Sequence, residues 1–411
     1  MSLESGFLKK YFRGIIAKKL SAVETSPETS NQHEFNATVR MREIFGDDDR
    51  KFRTDFLYVD DERSIEAADF LTWYDARRRH PTRTEYRMYY PSTAVSEAAA
   101  SGDSMFICVK QDGTILCIIA QKDATITGQL YWLFDMTPNE SGRFTQNAEL
   151  QTDGGNLEFV ARTILAQIGI EYVEKDDANL LDALLERFGG TFPRTEMFSS
   201  FARSVADRTD PVADPDGTLI TWFDTEEKLF FLMEQHTIRE RLKAGFIRGD
   251  DVDVDGFVQF SLSVQNRRKS RAGYSLENHI CALLDANGIL YSHTPVTENR
   301  SKPDFLFPDI TYYRDAAFSA ENLTMLGSKS TCKDRWRQVL AEADRIERKH
   351  LLTLEPAIST FQTDEMVDKH LQLVIPASIH KTYTERQQAW LYTVDDFLME
   401  VRQKQARAGL R

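Results

Sequence analysis

The chain has 411 residues, of which 41% are hydrophobic, and it carries a formal net charge of −13. A chain of this size is long enough for about two or three domains with buried cores. No apolar run approaches the roughly 20 residues of a membrane span, and the N-terminus lacks a signal-peptide cleavage pattern. We therefore expect a cytoplasmic protein without a membrane partner.

The excess of acidic residues argues against a polyanionic partner, since neutralising phosphates requires Lys and Arg. Basic residues are nevertheless concentrated in three places, at residues 77–79, 267–271 and 333–349. An acidic protein can carry basic grooves, so a nucleic-acid partner remains open.

The four cysteines are scattered, without a CxxC pair and without a histidine at ligand spacing. This pattern predicts neither a zinc site nor a disulfide framework, and we expect reduced, mostly buried thiols. The four are Cys108, Cys117, Cys281 and Cys332.

The first half of the chain has mainly strand signals. Residues 1–20 form a basic amphipathic pattern, which we interpret as an edge element of a domain core rather than a membrane-surface helix or transit peptide. Two apolar runs, 105–110 and 114–121, flank Asp112-Gly113, a hairpin turn signal. Residues 130–134 read as a further strand. Residues 35–136 are therefore predicted to be a mainly β domain.

The pattern changes after the β domain. Residues 156–190 have helical periodicity, and 204–217 are rich in Asp and Pro, which favours an exposed connection. We place the domain boundary near 170–190. The predicted organisation is a β-rich domain at 1–175, a linker at 176–220 and a second domain at 221–411.

The second half alternates helix and strand signals. We predict helices near 225–244, 276–287 and 332–349, and strands near Phe305 and Met325. Asp251 to Gly256 imitates an EF-hand loop, but Leu262 stands where the loop needs a bidentate Glu, so we interpret this segment as an acidic turn. The alternation predicts an α/β core.

One constellation suits phosphodiester hydrolysis, which needs charge compensation and usually a metal ion. Asp304, in a Pro-Asp pair, begins one predicted strand, and Lys329 ends the next. The PD-(D/E)xK nuclease pattern has an acid two residues before the lysine, but Gly327 stands there. Glu342, on the following predicted helix, can supply the missing carboxylate. Two carboxylates are enough to hold Mg²⁺, which keeps several waters.

Long blocks of the sequence resemble EcoRII-type (type IIE) restriction endonucleases. These blocks are Asn266-Arg-Arg-Lys-Ser-Arg-Ala-Gly273, Ser275-Leu-Glu277, Lys302-Pro-Asp-Phe-Leu-Phe-Pro308 and Ser330-Thr-Cys-Lys-Asp-Arg-Trp-Arg-Gln338. The resemblance covers residues 220–375 well and the first half weakly. It implies a restriction-endonuclease-like α/β catalytic domain preceded by a β-pseudobarrel effector domain that occludes the active site.

The resemblance also implies an activity and partners. The expected activity is Mg²⁺-dependent cleavage of double-stranded DNA at a CCWGG-like site, by a homodimer in a prokaryotic cytoplasm. A DNA methyltransferase would belong to the same system without binding the enzyme directly. Two other functions stay open, namely a catalytically silent DNA-binding protein and a repair nuclease.

Residue by residue, the resemblance assigns catalytic roles to five positions. Asp304, Lys329 and Glu342 match the family's metal-binding and water-activating residues, with Asp304 and Glu342 as the metal ligands. Glu277 matches an additional acid, and Tyr313 an active-site tyrosine. The simpler alternatives are a helix-surface acid for Glu277 and a packed core residue for Tyr313.

Three groups of residues are predicted to contact DNA. Lys333, Asp334 and Arg335 offer donors and an acceptor for C·G base edges in the major groove, although Thr331 and Asp334 also form a capping-box pattern. The basic cluster Arg267, Arg268, Lys269 and Arg271 would hold phosphates. A second contact, or alternatively a solvated basic loop, is predicted in the first domain at His33, Glu34, Arg83, Glu85 and Arg87.

Overall fold

A computed structural model describes residues 8–9, 12–25, 34–61, 63–80, 82–137, 178–248, 251–332 and 336–410. The chain divides into two compact units. In the described part, the first unit comprises the residues up to 137 together with Pro356–Thr363, and the second comprises 178–355 and 364–410. No described helix combines the length and apolarity that crossing a membrane requires.

The first unit is built on a seven-stranded, mostly antiparallel sheet, counted over the described residues. Its strands are β1 (Phe12–Lys19), β2 (Glu34–Asn36), β3 (Arg50–Val59), β4 (Ser64–Asp75), β5 (Tyr86–Tyr89), β6 (Ser104–Lys110) and β7 (Ile115–Ala120). Their order in the sheet is β1-β6-β7-β3-β4-β5-β2, with β3 and β7 parallel. The helices are α1 (Ala22–Thr25), α2 (Val39–Phe45), α3 (Ala94–Ala98) and α4 (Thr125–Leu133).

Two local predictions for this unit are confirmed. β1 lies at the edge of the sheet, and β6 and β7 pair as an antiparallel hairpin. Gly113 adopts φ +84° in the turn, a conformation that glycine enters without steric cost. The mainly β character predicted for 35–136 is therefore correct.

The strand predicted at 130–134 is wrong, because this segment ends helix α4. The side chain of Tyr131 packs on Phe106 of β6, with ring centroids 4.9 Å apart. A short apolar run has the same composition in a buried strand and in a helix that covers a sheet. Burial of β6 on both faces requires such a cover, and α4 supplies it.

The segment Pro356–Thr363 belongs to the first unit although it follows in sequence a strand of the second. Gln129 Nε2 donates to the carbonyl of Pro356 over 3.0 Å. Gln362 Nε2 donates to Asp61 Oδ2 over 2.7 Å, and the same carboxylate accepts from the backbone N–H of Thr125. The polar groups of Pro356–Thr363 thus form hydrogen bonds with Gln129 and Asp61 of the same unit, as partly buried polar groups require.

The second unit contains most of the helices. The described helices from residue 178 onwards are α5 (Ala178–Phe188), α6 (Thr195–Val205), α7 (Pro215–Ala244), α8 (Val254–Ala286), α9 (Ile310–Arg314), α10 (Trp336–Val339), α11 (Thr360–Asp368), α12 (Ala377–His380), α13 (Glu385–Gln388) and α14 (Val394–Arg407). All belong to the second unit except the first turn of α11, which belongs to the first. The described residues of 176–220, predicted as a linker, thus form α5, α6 and the start of α7, and α5 and α6 share a core with α7.

Two helices begin earlier than predicted. Asp214 caps α7 by accepting from the backbone N–H of Gly217 over 2.9 Å, and Pro215 occupies the first helical position. Asp253 caps α8 in the same way by bonding Gly256. Asp and Pro are common both in loops and at helix starts, so composition alone made these segments look like connections. The segment predicted as an acidic turn, Asp251 to Gly256, is therefore a two-residue strand at Asp251–Val252 followed by the cap and first turn of α8.

The sheet of the second unit has five described strands in the order β10-β11-β12-β13-β14. They are β10 (Ser292–His293), β11 (Phe305–Phe307), β12 (Thr324–Lys329), β13 (Lys349–Thr353) and β14 (Leu371–Val374). β10, β11 and β12 pair antiparallel, whereas β12, β13 and β14 pair parallel. A two-stranded hairpin, β8 (Ile247–Arg248) with β9 (Asp251–Val252), joins α7 to α8.

The long helix predicted at 332–349 is wrong. In the described part of this segment only Trp336–Val339 is helical, and Lys349 already begins β13. Ala343 has φ +52°, which an α-helix cannot contain. Trp336, Val339, Ala343 and Ile346 are all buried. A short helix followed by tight turns thus buries the same residues that one amphipathic helix would bury.

Candidate active site

Asp304 and Lys329 meet at the ends of two neighbouring strands in the second unit's sheet. Asp304 directly precedes β11 and Lys329 ends β12, and these two strands are antiparallel. Lys329 Nζ lies 2.8 Å from Asp304 Oδ2, and the same oxygen accepts from the backbone N–H of Ser328 over 2.6 Å. The side chains are only 13% exposed for Asp304 and 20% for Lys329, so their charges interact with little screening.

The position where the common nuclease pattern has an acid is closed to any side chain. A Cβ added to Gly327 would lie 2.8 Å from Val339 Cγ2 and 3.2 Å from Val339 Cγ1. Val339 belongs to α10, which packs on this strand, so the backbone there approaches too closely for a carboxylate. The acid must come from elsewhere if the site is complete.

Glu342 supplies a carboxylate from the turns that follow α10. Its Oε2 is buried and has no hydrogen-bond partner among the described residues. Burial and, after it, the negative charge of Asp304 raise the pKa of the Glu342 carboxyl to about 7, against the opposing effect of Lys329 and Lys349. Glu342 therefore shares the electrostatic environment of Asp304 and Lys329, but from a turn and not from the predicted helix.

Glu277 lies on α8 and is paired with a residue that the sequence reasoning missed. His293 Nε2 lies 3.1 Å from Glu277 Oε2, and its ring stacks on Phe305 with centroids 5.1 Å apart. The hydrogen bond to Glu277 raises the pKa of His293, as does the negative charge of Asp304. A histidine in a two-residue strand gives no sequence signal, because only the pairing of β10 with β11 brings it here.

Tyr313 makes other contacts. It is buried, donates its hydroxyl to Glu298 Oε2 over 2.6 Å and accepts from the backbone N–H of Arg345 over 3.3 Å. Burial, and after it the bond to Glu298, raise the pKa of Tyr313 to about 12. The tyrosine predicted to be catalytic is thus held by Glu298 and Arg345, and both partners of its hydroxyl lie in the turns around the site.

The donor set fits a hard divalent cation. Asp304 and Glu342 offer carboxylate oxygens, and the buried Oε2 of Glu342 lacks a partner within the described chain. The described residues contain no group of three or more His, Cys, Asp or Glu side chains arranged as metal ligands. Mg²⁺ is usually held by one or two carboxylates with water in the remaining positions, whereas zinc needs three or four protein ligands.

The basic cluster predicted to hold phosphates lies on α8 and is largely occupied by ion pairs. Arg271 is buried, 7% exposed, and contacts Glu226 and Glu227 on α7. Arg268 lies 2.7 Å from Glu234. Arg271 is neutralised inside the helix pair, where a phosphate cannot reach it, so its predicted role is corrected to packing. Arg268 pairs with Glu234 but its side chain is 55% exposed, so its phosphate contact stays a prediction.

The remaining member with a described side chain, Arg267, has its guanidinium 4.5 Å from the centre of the Phe192 ring. Lys269 lies on α8, but its side chain is outside the described set. Lys333, Asp334, Arg335 and His33 also lie outside the described residues.

A buried polar network continues from Arg271 along α7 and α8. His279 Nε2 lies 3.0 Å from Glu226 Oε2, and both side chains are fully buried. Arg203 on α6 donates to His279 Nδ1 over 3.2 Å. Because an arginine can only donate, Nδ1 is the acceptor and the ring proton sits on Nε2. Burial lowers the pKa of His279, which agrees with a neutral ring.

In the first unit, three of the predicted DNA-contacting residues meet on one face. Arg87 donates to Glu34 Oε2 over 2.9 Å and to Glu85 Oε1 over 2.6 Å. Glu34 also accepts from the Tyr74 hydroxyl. Glu34 lines an open depression of about 520 Å³ together with basic side chains, among them Arg50 and Lys51. Arg83 is exposed and lies outside this ion-pair network.

Comparison with known proteins found relatives of the second half of the chain. Residues 230–398 match the family described as EcoRII C terminal. The type II restriction enzyme EcoRII of Escherichia coli is 43% identical over 189 residues, 46% of this chain and 46% of that enzyme. The chain thus matches the curated relative over about half of that relative's length. The resemblance to EcoRII-type restriction endonucleases that the sequence blocks indicated is confirmed.

Two solved structures are also similar. Metal-depleted Ecl18kI in complex with uncleaved, modified DNA has 17% identity and a TM-score of 0.45, covering 57% of this chain and 86% of that one. The complex of restriction endonuclease PspGI with substrate DNA has 15% identity and a TM-score of 0.40, covering 56% and 92%. Both TM-scores are below 0.5, so these two structures add no argument to the family-model match over residues 230–398.

Proposed function

Because residues 230–398 match the EcoRII C-terminal family, we propose that this protein is a type II restriction endonuclease that cuts double-stranded DNA at a short specific sequence. The observation that carries the proposal is the pairing of Lys329 with Asp304 at the strand ends beside Glu342. A chain that bound DNA without cutting it would not need to keep this costly arrangement of buried charge.

The proposed roles follow from the geometry. Asp304 and Glu342 would hold Mg²⁺, which when bound supplies positive charge that polarises the scissile phosphate. Lys329 keeps an ammonium beside that phosphate, where it stabilises the charge that develops in the transition state. Glu277, fixed by His293, adds a carboxylate that can orient water. Each role lies in a site with little solvent, which strengthens its electrostatic effect.

We propose a CCWGG-like recognition sequence from the resemblance of the segment that contains Lys333, Asp334 and Arg335. Lys and Arg suit guanine O6 and N7, and Asp accepts from cytosine N4. A homodimer would read the two halves of such a site, since symmetric sites match symmetric proteins. A DNA methyltransferase is expected in the same system.

The first unit is proposed to restrain cleavage until a further DNA site is bound. Arg50 and Lys51 are exposed beside the ion pairs of Arg87 and give this unit basic side chains that DNA phosphates could contact. DNA bound there can relieve a restraint only by its differential affinity for the unrestrained state. Oligonucleotide carrying the site, added in trans, should therefore speed the cutting of single-site DNA.

Digestion of a plasmid of known sequence tests the central proposal. Fragments should appear with Mg²⁺ and not with EDTA, and sequencing of their ends gives the recognition sequence and the cut position. Random ends would favour a repair or non-specific nuclease instead.

Site variants test the assignment of residues. Lys329→Ala and Asp304→Asn should reduce cleavage by at least about 100-fold, because each removes charge at the reacting phosphate. Specific binding should stay within about threefold, because these residues act mainly in the transition state. Lys369→Ala is the control. This exposed lysine precedes β14, whereas Lys329 ends β12, and because these strands run in the same direction the two lysines lie at opposite ends of the sheet's strands. Cleavage by Lys329→Ala at the rate of the control would contradict the role of Lys329.

A further inference from the structure

Two strained turns flank the candidate metal ligands in the second unit. Ahead of Asp304, Asn299 and Arg300 have φ +55° and +60°. Directly after Glu342, Ala343 has φ +52°. Residues with a Cβ enter this region at a cost, and such turns persist only where their surroundings hold them. The structure around both turns should therefore contain the groups that hold them.

One hydrogen-bonded chain joins the two turns through Tyr313. Its hydroxyl donates to Glu298 Oε2, at the start of the turn ahead of Asp304, over 2.6 Å. The hydroxyl oxygen accepts from the backbone N–H of Arg345, in the turns after Glu342, over 3.3 Å. Tyr313 is only 2% exposed, and burial raises the pKa of Tyr313, so its proton stays in place at neutral pH.

Arg345 adds a second anchor. Its guanidinium donates to the backbone carbonyls of Tyr313, Asp315 (3.0 Å) and Phe318 (2.8 Å). It also lies 5.6 Å from the centre of the Tyr313 ring. A planar guanidinium that bonds three carbonyls fixes the segment that carries it much more firmly than a single bond would.

A direct bond between the two segments completes the connection. Ser301 Oγ, in the turn ahead of Asp304, donates to the carbonyl of Ala341 over 3.4 Å. Ala341 immediately precedes Glu342. The turn before Asp304 is thus tied to the residues on either side of Glu342 by two links, one through the Tyr313 hydroxyl and one from the Ser301 hydroxyl to a backbone carbonyl.

We propose that Glu298, Tyr313 and Arg345 form a clamp that sets the separation of Asp304 and Glu342, and that Tyr313 is a positioning residue. The inference rests on the proposed function, since it assigns the two carboxylates to one metal site. It explains how a carboxylate displaced from position 327 is still delivered to the site. The Tyr313 hydroxyl then donates its hydrogen bond to Glu298 and accepts one from Arg345, both within the protein.

Metal binding, measured apart from cleavage, tests the clamp. Mn²⁺ affinity of the full chain is followed by titration calorimetry, and single-turnover cleavage and DNA binding are measured on the same preparations. Arg345→Ala and Tyr313→Phe should each weaken Mn²⁺ binding and cleavage by about 10- to 100-fold, as the loss of outer-shell partners of a metal site usually does. DNA binding should remain within about twofold, because the clamp orients metal ligands and not the DNA surface.

Three comparisons separate positioning from a chemical role or general loss of structure. Glu298→Gln keeps an oxygen acceptor for Tyr313 and should behave like the wild type, whereas Glu298→Ala should resemble Tyr313→Phe. Arg348→Ala is the matched control, since Arg348 bonds Gln372 and not the clamp. The double variant Arg345→Ala with Tyr313→Phe should be no more than about twofold worse than Arg345→Ala, because both changes break one unit.

The outcomes distinguish the clamp from the proposed function. If the wild type neither binds Mn²⁺ nor cuts DNA, both ideas fail. If the wild type does both and Arg345→Ala matches Arg348→Ala in Mn²⁺ affinity, the clamp alone is wrong. Multiplicative losses in the double variant would also overturn it and would return Tyr313 to a direct role. Where Arg345→Ala does not fold, the comparison of Glu298→Gln with Glu298→Ala decides.

Discussion

Replacing Gly327 with alanine should destabilise the second unit because β12 and α10 leave no space for a methyl group. The new Cβ would lie 2.8 Å from Val339 Cγ2, 3.2 Å from Val339 Cγ1 and 3.5 Å from Leu351 Cδ1. Gly327 is not among the glycines with positive φ, so the cost is steric and not conformational. Overpacking a closed interior site costs about 1–3 kcal/mol, and we expect Gly327→Ala to lose this much.

Shortening Val339 should recover part of that loss. Val339→Ala deletes both γ-carbons that the new methyl group would meet, at the cost of a cavity when made alone. In the double variant the methyl group introduced at position 327 fills that space. The coupling free energy of the two changes should therefore be favourable by about 1–2 kcal/mol.

Urea unfolding of the full chain, followed by a probe in the second unit, measures these differences. Gly273→Ala is the control, because Gly273 lies within α8 and a Cβ there meets nothing within 4 Å. The free energy of unfolding of that variant should rise by about 0.5–1 kcal/mol because alanine has a higher helix propensity than glycine. A Gly→Ala substitution is therefore expected to stabilise the chain at position 273 and to destabilise it at position 327. Additive effects of Gly327→Ala and Val339→Ala would refute the steric argument.

Three further results are expected. Burial lowers the pKa of His279 in the folded state, so below about pH 6.5 the unfolded chain binds a proton at His279 that the folded chain does not bind. The free energy of unfolding should therefore fall as the pH drops, and in His279→Gln the urea midpoint should change less between pH 7 and 5. Arg271→Ala should cost about 3–5 kcal/mol by leaving Glu226 buried without its cation, while the salt dependence of DNA binding stays unchanged; a reduced salt slope would restore a phosphate contact. Gln362→Ala, which removes the bond to Asp61 within the first unit, should lower the free energy of unfolding by about 0.5–1.5 kcal/mol in urea titrations, and an unchanged midpoint would contradict a stabilising role for this bond.

The sequence alone determined the features that depend on local pattern. The hairpin around Gly113 and the strands at Phe305 and Met325 follow from alternation and turn chemistry, and the structure has all three. Asp304 and Lys329 could be paired in advance, because one begins and the other ends neighbouring strands. The blocks from 266 to 338 are long enough to indicate the family from the sequence alone.

Tertiary structure decided what depends on packing between distant segments. Burial at Trp336, Val339, Ala343 and Ile346 reads as one helix, yet a residue with φ +52° turns the chain so that Glu342 reaches the site. The basic stretch containing Arg271 reads as a DNA surface, yet α7 places two carboxylates against that arginine. Periodicity records which side chains are buried, but it contains no information on which partner buries them, and partners are what separate a catalytic or DNA-binding charge from a structural one.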